Sequence, residues 1–416
     1  MSKKRNGQVN PDIPVTRPVM PPLRHYSNEL KNIWNSHILT NNGEECRKLA
    51  AALGEKLSCP NIVLTSNGHM ALELALEDVR LGRGMISRTG KAGYEVITTP
   101  FTFISTTNAI LRAGFHPVYC DIDPETMTMD PEKIESLITD RTIAILPVHV
   151  YGNLCDVEEI GRIAARYSLP VIYDAAHAFG VRYKGRSLAE FGDYVCYSFH
   201  ATKSFNTAEG GAVCCRNAGS YKRIRQLGNF GLAPEDHGED VRYIGWNAKM
   251  SELHAALGLC NLSDFEEQRD TRRILAGIYR AGLRGIPGIT ISEIRRTVCS
   301  NYSYFPVRID SEIYGCSRDE VFEMLKSRGI MARKYFYPLA SQVSALKVYG
   351  YDPEDTPNAL RTSREILVLP LYPELSPGKV MEICFLLAAF RNVCIMEGHK
   401  AIVHRQKGDK AFRKTA

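Results

Sequence analysis

The alternation of segments between residues 61 and 173 constrains the fold of this chain more than any other feature. Short apolar runs at 61–65, 94–98, 117–120, 142–148 and 170–173 read as strands. Segments with helical apolar spacing fall between them, at 70–79, 106–113, 131–138 and 157–167. Strand and helix in turn predict an α/β fold, a mainly parallel sheet with helices on both faces. The runs Ile143-Ala144-Ile145-Leu146 and Val171-Ile172-Tyr173 lack the polar alternation of a half-wet strand. They suit a sheet covered on both sides.

At 416 residues the chain exceeds the usual single domain of about 100–200 residues. The expected division is an extended arm over 1–28, a large domain over 29–264, a smaller C-terminal α+β domain over 265–398, and a basic tail over 399–416. Pro11, Pro14, Pro18, Pro21 and Pro22 make the arm extended rather than part of a core. Helical patterns follow at 27–36 and 43–57, and a long helical region is expected over 249–281. Beyond it, 302–309, 318–327 and 379–390 carry the periodicity of the smaller domain.

The composition, 44% hydrophobic and 24% charged, is that of a soluble globular protein. No apolar stretch reaches the length of a membrane span, and the basic start Met1-Ser2-Lys3-Lys4-Arg5 has no apolar segment behind it. A net charge of +6 suits a small anionic substrate and is too dispersed for nucleic acid. The twelve cysteines form no Cys-x-x-Cys pair, which argues against a metal knuckle. They read as small buried hydrophobes of a cytoplasmic protein.

The candidate chemistry lies at strand ends, where ligands bind in such sheets. A β-rich run at 193–197 leads into Ser198-Phe199-His200-Ala201-Thr202-Lys203, and Glu209-Gly210-Gly211 follows. The strand before it finishes on Asp174. A lone lysine after a strand is usually solvated, and a lone aspartate is usually a helix cap. Together, an amine and a carboxylate from neighbouring strand ends match what pyridoxal phosphate requires. The amine bonds the aldehyde, and the carboxylate keeps the ring nitrogen protonated. Thr65-Ser66-Asn67-Gly68-His69 joins a strand to a helix, where Gly68 lets backbone N–H groups face a phosphate. Phe103 follows another strand and can stack on a flat ring. His177, three residues past Asp174, can donate to a ring oxygen. Asn247, before the long helical region, otherwise reads as a helix-start residue.

Five segments in this order resemble one family. They are TSNGHMALELAL (65–76), TTPFTFISTTNAI (98–110), YDAAHAFG (173–180), YSFHATKSFNTAEGGAV (197–213) and GWNAKMSELHAALG (245–258). They look like the DegT–DnrJ–StrS sugar-nucleotide aminotransferases, which have pyridoxal phosphate fold type I. The likeness extends over about residues 25–390.

It implies that Lys203 is the lysine that holds the cofactor and that Asp174 faces the ring nitrogen. His177 stands where many members have glutamine, Phe103 lies on the ring face, and Ser198 supplies a hydroxyl to the phosphate. Gly68 and His69 form the phosphate turn, where many members have Gly-Thr, so His69 offers its N–H but no threonine hydroxyl. Asn247 reaches the phosphate of a neighbouring subunit, which makes the working unit a homodimer. Relatives with histidine at position 203 dehydrate their sugar, so the retained lysine implies amine transfer. The HATK segment, TRPVMPPL (16–23), LTNNG (39–43) and the run from Arg333 to Pro338 look most like the branch acting on dTDP-4-keto-6-deoxyglucose, with glutamate as donor. Carbon-3 transamination, another nucleotide carrier, a lyase and a non-catalytic regulator are the alternatives. Arg242 and Tyr335 are the candidates for touching the sugar nucleotide.

Overall fold

A computed structural model describes residues 13–85, 93–233 and 240–412, with side chains through Met396. The main sheet contains β1 (Ile62–Thr65), β2 (Glu95–Thr98), β3 (His116–Tyr119), β4 (Thr142–Ile145), β5 (Ile172–Asp174), β6 (Tyr194–Ser198) and β7 (Gly211–Cys215). Hydrogen bonding gives β1-β7-β6-β5 and β3-β2-β4. Parallel bridges from Ile145 to Val171 and from Val148 to Asp174 join the two groups into one surface. β7 runs antiparallel to both β1 and β6, while the other described pairings are parallel. The reversal follows from the connection. The segment 199–210 returns directly from β6 to β7 without a crossover helix.

Period-two alternation buries both faces. Tyr194, Cys196, Val213 and Ile172 pack into one cluster with Leu72, Leu76 and Ile110 of the helices on that side. Val195, Tyr197, Cys214 and Tyr173 pack into another with Leu49, Leu53 and Phe265. A further core surrounds the antiparallel strands Phe305–Ile309 and Ile366–Leu369, with Leu275, Tyr279, Val380 and Leu387. The helix Phe265–Leu283 thus starts in one core and ends in another.

Several expectations change. Residues 131–138 form two short 3-10 turns, Pro131–Lys133 and Glu135–Leu137, because Ile138 returns to an extended backbone before an α-helix can propagate. The region 249–281 divides at Asp264 into helices Glu252–Ser263 and Phe265–Leu283. The proline-rich arm is partly core: Ile13 and Val15 are buried, and Ile13 pairs with Ile330 through Ile13 N–H to Gly329 O at 3.1 Å. Leu23–Ser36 is already helical, so the arm ends before residue 28. The last helix, Pro377–Phe412, continues into the basic tail. Cys316 and Cys394 form a disulfide, while nine of the ten free cysteines are buried as expected. No helix among the described residues is long and apolar enough to cross a membrane.

Candidate active site

β5, β6 and the turn after β1 converge on a cavity of about 390 Å³. It lies within the usual size of a small-molecule site. Gly68, His69, Phe103, Asp174, His177, Ser198, Lys203 and Tyr335 all line it. Thr102, Ser105, His200, Glu209, Arg333 and Phe336 join them.

Asp174 is 6% exposed, and burial raises its pKa. Hydrogen bonds and the nearby Lys203 pull the other way. The Ala176 N–H donates to Oδ1 at 3.0 Å, and the Thr106 hydroxyl donates to Oδ2 at 2.8 Å. Thr102 Oγ1 lies 3.0 Å from Thr106 Oγ1. Since Thr106 spends its hydrogen on the carboxylate, Thr102 donates to Thr106 and the chain of donors ends at Asp174. A buried carboxylate held this way is suited to a cation, and a protonated ring nitrogen is one.

Lys203 lies in the return segment between β6 and β7. Desolvation pushes its amine down to about 8, against the pull of Asp174. A solvated lysine would stay near about 10.4. The structure therefore supplies a partly neutral amine able to form a bond.

His177 has a fixed tautomer. The Tyr151 N–H donates to its Nδ1 at 3.0 Å, so the ring hydrogen sits on Nε2. Burial, and then Lys203, drives its pKa well below the usual value and keeps the ring neutral. Its plane lies nearly parallel to Phe336, at 5.9 Å between centroids. A neutral Nε2–H is a donor for a ring oxygen.

Three segments meet closely around Gly68, Ser198 and Gly211. A Cβ on Gly68 would stand 2.6 Å from Ser198 Cβ, and one on Gly211 would stand 2.6 Å from the Asn67 carbonyl. Only glycine permits this approach, which leaves the Ser198 hydroxyl beside the N-terminus of helix Gly68–Gly82. Gly68→Ala is therefore expected to cost about 1–3 kcal/mol of stability by overpacking. It should also weaken pyridoxal phosphate binding at least tenfold, as read by absorbance titration. Asp174, Lys203, Gly68 and Ser198 all line one cavity, and Phe103, 55% exposed, lines it too. These residues fit pyridoxal phosphate.

Two candidates lie away from this cavity. Asn247 is exposed and accepts from Lys249 Nζ at 2.7 Å. Arg242 is exposed, and its backbone N–H donates to Gly231 O at 2.9 Å. The structure brings neither to the lysine of its own chain. Thr106, Thr102 and Arg333 were missed as site residues. The threonines sit in the motif around Phe103, where that position on the entry to a helix was the available signal. A larger cleft of about 580 Å³, lined by Arg47, Arg225 and Lys249, holds no comparable acid and lysine pair.

Comparison with known proteins gives the same reading. The chain matches the DegT/DnrJ/EryC1/StrS aminotransferase family over residues 24–388. It is 42% identical to the dTDP-4-amino-4,6-dideoxy-D-glucose transaminase of Escherichia coli over 379 residues, covering 90% of this chain and 98% of that protein. It is 33% identical to the spore coat polysaccharide biosynthesis protein SpsC of Bacillus subtilis, over 81% of this chain and 86% of that one. The solved structure of DesI in the presence of its TDP-sugar product superposes with a TM-score of 0.83 at 30% identity, over 96% of both chains. The PLP form of Spr1654 from Streptococcus pneumoniae superposes with a TM-score of 0.82 at 25% identity, over 92% of this chain and 99% of that one. With its fold type I architecture and a site fitted to pyridoxal phosphate, the chain belongs to the DegT/DnrJ/EryC1/StrS aminotransferase family.

Proposed function

We propose that this enzyme moves an amino group from glutamate to dTDP-4-keto-6-deoxyglucose, giving dTDP-4-amino-4,6-dideoxyglucose, as a cytoplasmic homodimer. The observation that carries the reading is the desolvated Lys203 amine beside the buried Asp174 carboxylate in one cavity. The 42% identity to the Escherichia coli transaminase supports the choice of sugar.

Pyridoxal phosphate, when bound, supplies the electron sink for breaking a C–H bond next to nitrogen. Lys203 anchors it, then acts as base and acid once the incoming amino acid has freed the amine. Its Nζ would accept the substrate's α proton and give a proton back as acid. Asp174 holds the proton on the ring nitrogen. His177 donates Nε2–H to the ring oxygen, and Phe103 covers a ring face. Ser198, Gly68 and His69 hold the phosphate. Asn247 serves the phosphate in the partner chain, which accounts for its place outside its own cavity. Tyr335, which lines the cavity, and Arg242, which lies outside it, are the candidate contacts to the sugar nucleotide. The bound group would carry the amine between two half-reactions, with water consumed in releasing the 2-oxo acid and given back on taking up the keto sugar, and Lys203 would serve as base and acid in both. The large domain, 29–264, carries the anchor, and the smaller one, 265–398, closes the cavity with Arg333, Tyr335 and Phe336.

The test is incubation with pyridoxal phosphate, glutamate and a panel of keto-sugar nucleotides. The expected products are 2-oxoglutarate and the 4-amino sugar, with the aminated carbon assigned by NMR. Loss of water without amine transfer would overturn the reaction class. Amination only at carbon 3, or only on another nucleotide, would overturn the substrate.

A further inference from the structure

His69 sits on the first turn of helix Gly68–Gly82, one residue past the cradle glycine. Its Nε2 lies 3.0 Å from Glu73 Oε1, one turn along the same helix. Its Nδ1 lies 2.8 Å from Ser105 Oγ, on the first turn of helix Ile104–Arg112. Arg112, at the far end of that helix, donates from Nε to the same Glu73 oxygen at 2.7 Å. Arg112, Glu73, His69 and Ser105 thus form a line from the surface to the cavity wall, where His69 and Ser105 both stand.

The line has a direction. Burial raises the Glu73 pKa, but His69 and Arg112 together outweigh it, and the carboxyl stays ionised. An ionised carboxylate only accepts, so Nε2 of His69 carries a hydrogen. Nδ1 is left with two states. When bare, it accepts the Ser105 hydroxyl hydrogen, and that hydrogen is turned away from the cavity. When protonated, it donates to Ser105 Oγ, and the hydroxyl hydrogen is free to point into the cavity. Among the described residues, Ser105 Oγ has no other hydrogen bond in competition.

We propose that His69 is a positioning residue for the cofactor's phosphate: an anion in the cradle of Gly68 and Ser198 draws a proton onto Nδ1, and Ser105 then becomes a further donor to that anion. The chain would in this way replace a threonine hydroxyl by a serine that its histidine orients. The proposal rests on the reading of this cavity as the pyridoxal phosphate site. The charged groups facing the ring act in both directions. Glu73 on its own helix, Asp174 at the end of β5 and Glu209 across the cavity favour the proton. Lys203, Arg333 and Arg112 oppose it. The phosphate's added negative charge shifts this balance.

The test compares pyridoxal phosphate with pyridoxal, which has the same ring and aldehyde without the phosphate. Calorimetry in two buffers of different ionisation enthalpy, between about pH 6.5 and 8.5, reads bound protons while the phosphate stays largely dianionic. Pyridoxal phosphate is expected to take up more protons than pyridoxal, by an excess of up to one. Its affinity advantage should fall with rising pH, by at most about tenfold per unit. His69→Gln is expected to remove the excess and flatten the pH dependence while leaving pyridoxal affinity unchanged, which also checks its fold. His69→Asn serves if the first variant does not fold. Ser105→Ala should lose roughly tenfold of the phosphate advantage and keep pyridoxal binding. A wild-type proton excess retained in the His69 variant would overturn the proposal. Failure of the wild-type chain to bind pyridoxal phosphate would instead remove the cavity reading, and the proposal with it.

Discussion

Lys203→Ala is expected to lower transamination by at least roughly 10⁴-fold, because a base and an anchor are lost together. The pH profile of the wild-type enzyme tests the cause more sharply than the loss itself. Desolvation pushes the Lys203 amine down to about 8, and the attraction of Asp174 only partly offsets it. The neutral amine is the form that bonds. Its covalent capture of the cofactor should therefore quicken by nearly tenfold per pH unit up to about 8 and then level off, as followed by stopped-flow absorbance. An ordinary lysine would go on climbing to about pH 10.4. The linkage sign follows from the same shift. Between about 8 and about 10.4 the unfolded chain binds the proton that the folded chain has lost, so this group makes the unliganded protein more stable as pH rises through that window. Below it, the folded chain bears a charge in a poorly solvated place. Lys203→Met should thus melt no lower than wild type at pH 7, although it is inactive. A variant that kept turnover, or a capture rate still rising tenfold per unit past pH 9, would remove Lys203 from the mechanism.

The parts of this site that were legible in the sequence share one property: they lie at strand ends. Lys203, Asp174, Ser198 and Gly68 are each placed by a single β connection, so local pattern and sheet geometry suffice to bring them together. What was hidden depends on side chains meeting across the fold. Thr106 reads as one more helical residue until the packing of helix Ile104–Arg112 sets it against β5. Arg333 and Phe336 come more than a hundred residues after the lysine, and no local signal ties them to it. The spacing of His69 and Glu73 was readable as a helix pair, but the bond to Ser105 spans 36 residues and needed the structure. The proline-rich arm failed for a related reason. Proline count predicts an extended chain correctly, but it says nothing of Ile13 and Val15, which bury themselves against a neighbouring edge.

Asp174→Asn is expected to cost at least about 10²-fold in turnover while leaving the fold intact. The two side chains have nearly the same shape, so Oδ1 can keep the Ala176 N–H at its present 3.0 Å. The other arm changes character. The NH2 of asparagine would face the Thr106 hydroxyl, which now donates at 2.8 Å. Thr106 would have to turn and accept, which also disturbs its partner Thr102. More important, the amide carries no charge. Burial raises the Asp174 pKa, and the donors and the amine around it pull the other way. That arrangement makes sense only if a positive ring nitrogen completes it, because a buried carboxylate without a strong partner is a net cost. The asparagine variant should therefore bind pyridoxal phosphate more weakly and hold its ring nitrogen unprotonated. An analogue methylated on that nitrogen carries the positive charge permanently. If the carboxylate acts through charge, the analogue should recover part of the lost turnover in Asp174→Asn, and a purely structural defect would not respond. Turnover within about tenfold of wild type with the natural cofactor would show that this carboxylate does not hold the proton.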